Sequence, residues 1–212
     1  MEGQKINHRK LTIIFLATFY IVGIVIHQYT NFSKLLSFLT PLFLLVTSTI
    51  VIFEEVPSKR FLLWVIASYI FTFLIEVAGV KTGLIFGQYQ YGENLGIKIF
   101  DVPLIIGLNW VVLILAAVGF VENLKWSSFV KSAFVGLLMF VYDILLEIVA
   151  PKLNYWFFDG EIAPLQNYLS WFIISFSFGY LYFYLNIKRS LVIARFNLIF
   201  QIIFFLLIEV LK

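Results

Sequence analysis

Three carboxyl groups sit where the 212-residue sequence is otherwise apolar: Glu76, Asp143 and Glu147. A charge inside a bilayer is costly, so an acid at such a position is a functional candidate by default. Asp143 and Glu147 are four residues apart, which on a helix puts them on one face with their carboxyls within reach of each other. Low dielectric and like charge both oppose ionising the two together. The pair is therefore expected to keep at least one proton at neutral pH and to titrate as a unit. That would set an acid beside a base; the competing reading is a structural hydrogen-bonded cluster between helices.

Other polar residues carry less. Asn109 and Asn167 accompany Trp110 and Trp171 and are placed either to orient a water or a carboxyl or simply to bridge helices. Asp101 reads as a first-turn helix acid opposing the dipole. His27 reads as a helix-end histidine facing headgroups rather than a proton relay, and Arg195 as a residue snorkelling to phosphates. Glu54 and Glu55, beside Lys59 and Arg60, and Glu209 near the end of the sequence read as interfacial.

The inventory also excludes chemistries. With no cysteine there is no disulfide, thiolate cluster or cysteine nucleophile, and two histidines cannot form a multi-histidine di-iron centre. No metal or other cofactor is expected. Six of the twelve glycines lie between Gly79 and Gly107, but no Lys and Ser or Thr follow the last of them as a phosphate-binding loop requires. Neither nucleotide nor nucleic-acid binding is expected, and Gly79, Gly83 and Gly87 read as a small-residue packing stripe. The last apolar run has no central Lys for a retinal Schiff base.

These residues must be positioned by membrane helices. The chain is 62% hydrophobic and 13% charged, with 25 Phe, 11 Tyr and 5 Trp, and apolar runs about twenty residues long fill most of it. The reading is an all-α polytopic bundle, one integral membrane domain over residues 1–212. Seven spans are expected at 11–28, 35–53, 61–80, 101–121, 129–150, 168–187 and 191–211. The first is too long and lacks the cleavage pattern of a signal peptide. With the N-terminus cytoplasmic, ten of the fifteen Lys and Arg fall on the inner side, and Lys34, Lys81, Lys98, Lys152 and Lys212 outside. The protein is accordingly expected in the cell membrane with its C-terminus outside.

Two long outer loops, 81–100 and 151–167, carry Tyr89, Tyr91, Tyr155, Trp156, Phe157 and Phe158, as an interfacial aromatic belt would. Pro103, Leu104, Leu108 and Trp110 recur at the same offsets as Pro164, Leu165, Leu169 and Trp171. Spans three–four and five–six thus read as tandem parallel repeats with a site between them near the outer surface.

The run Glu76-Val77-Ala78-Gly79, then Thr82-Gly83-Leu84-Ile85-Phe86-Gly87-Gln88-Tyr89-Gln90-Tyr91-Gly92, Leu95-Gly96, Val102-Pro103-Leu104 and Trp110 resembles the membrane-bound carotenoid biosynthesis family that includes carotenoid 1,2-hydratases. Asp143-Ile144-Leu145-Leu146-Glu147, Ala150, Tyr155-Trp156, Pro164-Leu165-Gln166-Asn167-Tyr168 and Trp171-Phe172 continue that likeness in order, over about a hundred central residues. The family pattern often has a proline after the second acid of span five, where Ile148 stands here and Pro151 comes later. It asks for no acid at the position of Asp101.

The resemblance implies addition of water across the terminal C=C of an acyclic carotenoid ψ-end, of lycopene or γ-carotene type, giving a tertiary alcohol without a cofactor. One of Asp143 and Glu147 would protonate the alkene; the other, or Glu76, would orient and deprotonate water. Phe86, Tyr89, Tyr91, Asn109, Trp110, Tyr155, Trp156, Asn167 and Trp171 would line the substrate site. The lipid bilayer and other carotenoid biosynthesis enzymes are the partners implied. A carotenoid cyclase, in which a second double bond captures the cation, is the nearest alternative, and a transporter or lipid-binding membrane protein a more distant one.

Overall fold

The apolar runs fold as seven helices in a computed structural model that describes residues 2–29, 33–160 and 162–211. They are α1 (Glu2–Tyr29), α2 (Ser33–Ile52), α3 (Lys59–Thr82), α4 (Ile105–Val121), α5 (Ser128–Val149), α6 (Leu165–Tyr184) and α7 (Val192–Leu211). The bundle is all-α and of membrane type. Segments Asn7–Gln28, Lys59–Thr82, Ser128–Val149 and Val192–Leu211 are long and apolar enough to cross a bilayer, while those of α2 and α4, Phe38–Ile52 and Ile105–Val121, are shorter. Large apolar side chains such as Ile14, Ile66, Ile173 and Ile203 are exposed on the outside, as a lipid solvent permits.

Helix α4 forms the axis. Its sequence is hydrophobic all round, the mark of a fully surrounded helix, and it packs against α2, α3, α5, α6 and α7. Around it α5 and α6 form the most extensive pair, and α1 lies along α7. Ser58 caps α3 by accepting the Phe61 N–H and Ser127 caps α5 by accepting that of Val130, which fixes two of the three short connections.

Those connections share one end of the bundle with the start of α1. There Arg9 pairs with Glu54 at 3.1 Å and Glu55 at 3.1 Å. Glu54 also accepts the Ile193 N–H and the Ser190 hydroxyl. Glu54 and Glu55, in the same short loop as Lys59 and Arg60, thus face Arg9 and the start of α7. Arg189 stacks on Phe61 at 3.8 Å and donates to the Ile52 carbonyl, and Lys131 donates to the Glu122 carbonyl. Arg195 packs against Gly119 of α4. Of the charges that assign the sides, Lys212 and the side chains of Lys5 and Lys34 lie outside the described residues.

The two long loops meet at the other end. Strand β1 (Tyr89–Tyr91) pairs antiparallel with β4 (Trp156–Phe158), and β2 (Lys98–Ile99) with β3 (Val102–Pro103). Lys152 and Glu209 join α5 and α7 at this end, 2.6 Å apart.

Two expectations are corrected here. Asp101 is not in a helix. Phe100 and Asp101, at φ 53° and 68°, are the two turn residues of the β2–β3 hairpin, a conformation that two-residue hairpins demand. Asp101 is exposed and pairs with Lys81, whose proximity holds its carboxyl below the usual range. Nor do the three spaced glycines form a stripe on one helix. Gly83 takes φ 66° and ends α3, so Gly87 lies in the loop beyond; only Gly79 is helical, and a Cβ there would meet the Phe86 ring at 2.5 Å.

Candidate active site

The β1–β4 ribbon lays one face on the helix ends. Strand alternation sends Tyr89 and Tyr91 inward and Gln90 outward, and Trp156 inward while Phe157 stays partly exposed. The ribbon is tied down by main-chain and side-chain bonds. Gly92 N–H donates to the Tyr155 carbonyl at 2.8 Å, and Asn94 Nδ2 to that of Leu153 at 2.8 Å. A side chain on Gly92 would collide with Asn154, whose backbone oxygen lies 2.4 Å from the Cβ position. Ser170 of α6 donates to the Ile85 carbonyl, and Gln166 to that of Leu84.

Under this cover Glu76, at the far end of α3, accepts three donors. Tyr89 Oη and Tyr91 Oη reach its Oε2 at 2.5 and 2.8 Å, and Trp110 Nε1 of α4 reaches Oε1 at 2.7 Å. All three partners donate to it, and the Trp110 indole can do nothing else. Burial first, and then the charge of Glu76, push the Tyr89 and Tyr91 hydroxyls well above the usual phenol range, so both stay protonated donors.

Asp143 and Glu147 are served differently. Asn167, in the first turn of α6, donates through Nδ2 to Asp143 Oδ2 at 2.6 Å and to Glu147 Oε1 at 3.0 Å. Trp156 Nε1 bridges both oxygens of Glu147 at 3.2 and 3.1 Å. One amide thus bridges the two carboxyls. Asp143 Oδ1 is buried without a hydrogen-bond partner.

Between the two groups lies a cavity of about 20 Å³, room for one water-sized group. Glu76, Glu147, Phe86, Tyr89, Tyr91, Asn109, Trp110, Trp156, Asn167 and Trp171 line it, together with Ile106 and Phe158. Trp110 and Trp171, the tryptophans of the two matching sequence segments, are in contact with centroids 4.1 Å apart and rings tilted by 34°. The fold therefore gathers most of the residues singled out from sequence. Two stand apart: Asp143 sits behind Glu147, fully buried, and Tyr155 faces a second, apolar cavity. His27 also turns inward to that second cavity rather than outward to headgroups, its ring edge-on to Phe204 at 5.4 Å and its Nδ1 2.9 Å from the Gly23 carbonyl.

Sequence reasoning missed Phe158 and Ile106 as wall residues. Phe158 stands two residues after Trp156, so strand alternation alone would have put both on one face. Among the described residues no group of three or more His, Cys, Asp or Glu is placed to hold a metal ion.

A family model described as carotenoid biosynthesis protein matches residues 11–211. Among curated proteins, the bisanhydrobacterioruberin hydratase of Haloarcula japonica is 26% identical over 142 residues, which cover 58% of this chain and 47% of that protein. The chain thus spans about half the length of the curated relative it matches. No solved structure matches it.

Proposed function

The chain belongs to the carotenoid biosynthesis protein family, and from that premise we propose that it hydrates the terminal double bond of an acyclic carotenoid end group. The observation that carries this reading is an amide-bridged carboxyl pair opening, through Glu147, on a water-sized cavity walled by aromatic faces and a second acid. The hydratase name of the similar archaeal protein supports the same reaction.

Hydration of a trisubstituted alkene begins with a proton on the less substituted carbon. Glu147, the member of the pair that reaches the cavity, delivers it, and Asp143 helps to position Glu147 through the Asn167 amide that both accept. The tertiary cation that forms is stabilised by the faces of Trp110, Trp156 and Trp171. Water held between Glu76 and Glu147 adds its oxygen to the cationic carbon and gives up a proton to the carboxylate left on Glu147, so the pair ends as it began and one water has been added. Tyr89 and Tyr91 hold Glu76 in place as the acceptor that orients this water. Asn109 and Asn167 flank the reacting groups, and Phe86 closes the wall.

The charge distribution supports an orientation with the N-terminus in the cytoplasm and the ribbon outside. The chain has no cysteine, so single cysteines in 83–100 and 151–160 should label from outside the cell only.

The test is expression in a bacterial host that makes acyclic carotenoids, with chromatography and mass spectrometry of the pigments. A product one water heavier is expected. An isomer of unchanged mass absorbing at shorter wavelength would replace hydration by ring closure, and unaltered pigment across acyclic substrates would remove the enzymatic reading.

A further inference from the structure

A second cavity, of about 140 Å³, lies against the carboxyl chamber. Asn109 and Trp156 line both, so the two spaces are neighbours across those side chains. Its remaining wall comes from α1, α2, α5 and α7 and is dominated by apolar groups, among them Phe43, Leu146, Phe204 and Phe205.

The cavity reaches the lipid-facing surface. Val22 of α1 and Leu42 of α2 line it and are each about half exposed, at 46% and 42%. Although consecutive in the chain, α1 packs along α7 and α2 along α4. Between α1 and α2 the described ring contacts are those of Phe43 with Phe19 at 4.4 Å and with Tyr20 at 4.8 Å. A gap between two helices that face lipid is a route for a molecule dissolved in the bilayer.

We propose that this cavity binds the hydrocarbon chain adjoining the reacting double bond, admitted sideways from the bilayer between α1 and α2. The identity of the occupant, an isoprenoid polyene, rests on the hydratase reading. The alkene end passes Asn109 and Trp156 to reach Glu147, where the water-sized cavity under the ribbon supplies the water. Organic substrate and water therefore reach Glu147 by different routes, and the bulk of the polyene stays in the membrane.

Gly23 is the position from which to close the cavity. A Cβ there would lie 3.5 Å from Phe204 and 3.8 Å from Phe43, ordinary contact, so Gly23→Ala is accommodated while Gly23→Phe fills the space. Leu42→Trp narrows the membrane-side mouth from a half-exposed site and spares the core.

The experiment expresses these variants and Glu147→Gln in the carotenoid-producing host and measures both the water adduct and the pigment retained by the detergent-purified protein. Wild type and Glu147→Gln should retain pigment, Glu147→Gln without making adduct. Gly23→Phe and Leu42→Trp should lose about ten-fold or more of both pigment and adduct. Wild-type pigment and adduct in both of these, at normal membrane levels, would overturn the proposal. If wild type retains pigment but forms no adduct, the hydratase reading fails, and the pigment comparison alone still decides whether the cavity holds the chain.

Discussion

Glu76 and the Asp143–Glu147 pair are acids of similar depth, on opposite sides of one small cavity, with opposite hydrogen-bond surroundings. Glu76 receives three donors on two oxygens, all from aromatic side chains that the ribbon and α4 hold in place. The pair has one Asn167 amide and one Trp156 indole and leaves Asp143 Oδ1 without a partner. A site saturated with donors holds its carboxyl in one geometry; a site short of donors favours keeping a proton. Two roles for one type of side chain thus follow from which neighbours reach it.

Substitutions can break this contrast. The largest effect is expected from Glu147→Gln, which removes the proton donor at the cavity wall and should lower turnover by ~1,000-fold with little change in the thermal transition of the purified protein. Asp143→Asn should also abolish detectable product while leaving folded protein in the membrane; turnover at the wild-type rate would remove the pair from the chemistry. Glu76→Gln should show the reverse emphasis. Its amide must set an N–H₂ among three donors, so destabilisation of about 1–3 kcal/mol is expected in a detergent melt, and Tyr89→Phe should reproduce part of that loss. A Glu76→Gln protein as stable as wild type would mean that the aromatic donors do not fix it.

The smallest effect lies at the other end of the bundle. Glu122 follows α4, and burial pushes its carboxyl from 4.5 up to about 7 against the opposing pull of Arg195 and Lys131. Folding therefore takes up a proton between those values, and stability falls as pH rises from about 4.5 to 7. Glu122→Gln should flatten that slope and raise Tm at pH 8 by ~2 °C; an unchanged slope would show that the carboxyl is already ionised in this range.

Much of this could be read from the sequence because it is local. The apolar runs mark each helix to within a few residues except at the start of α1, which begins at Glu2 rather than 11, and the spacing of four alone brought Asp143 and Glu147 together. What escaped depends on turns and on distant contacts. Span four was expected from residue 101, but Val102 precedes Pro103, which disfavours helix there, and the hairpin turn at Phe100 and Asp101 delays α4 to Ile105. The donors of Glu76 stand 13, 15 and 34 residues away, and no periodicity connects them. Phe158 follows Trp156 by strand alternation, but Tyr155 precedes the strand and faces the other cavity, which no periodicity marks.

The most direct test of the carboxyl pair is to incubate membranes carrying wild type or Glu147→Gln with an acyclic carotenoid in heavy-oxygen water and to weigh the products. Wild type should give an alcohol one labelled water heavier than substrate, and Glu147→Gln none. A labelled alcohol formed by Glu147→Gln at the wild-type rate, or an unlabelled isomer from wild type, would contradict the account.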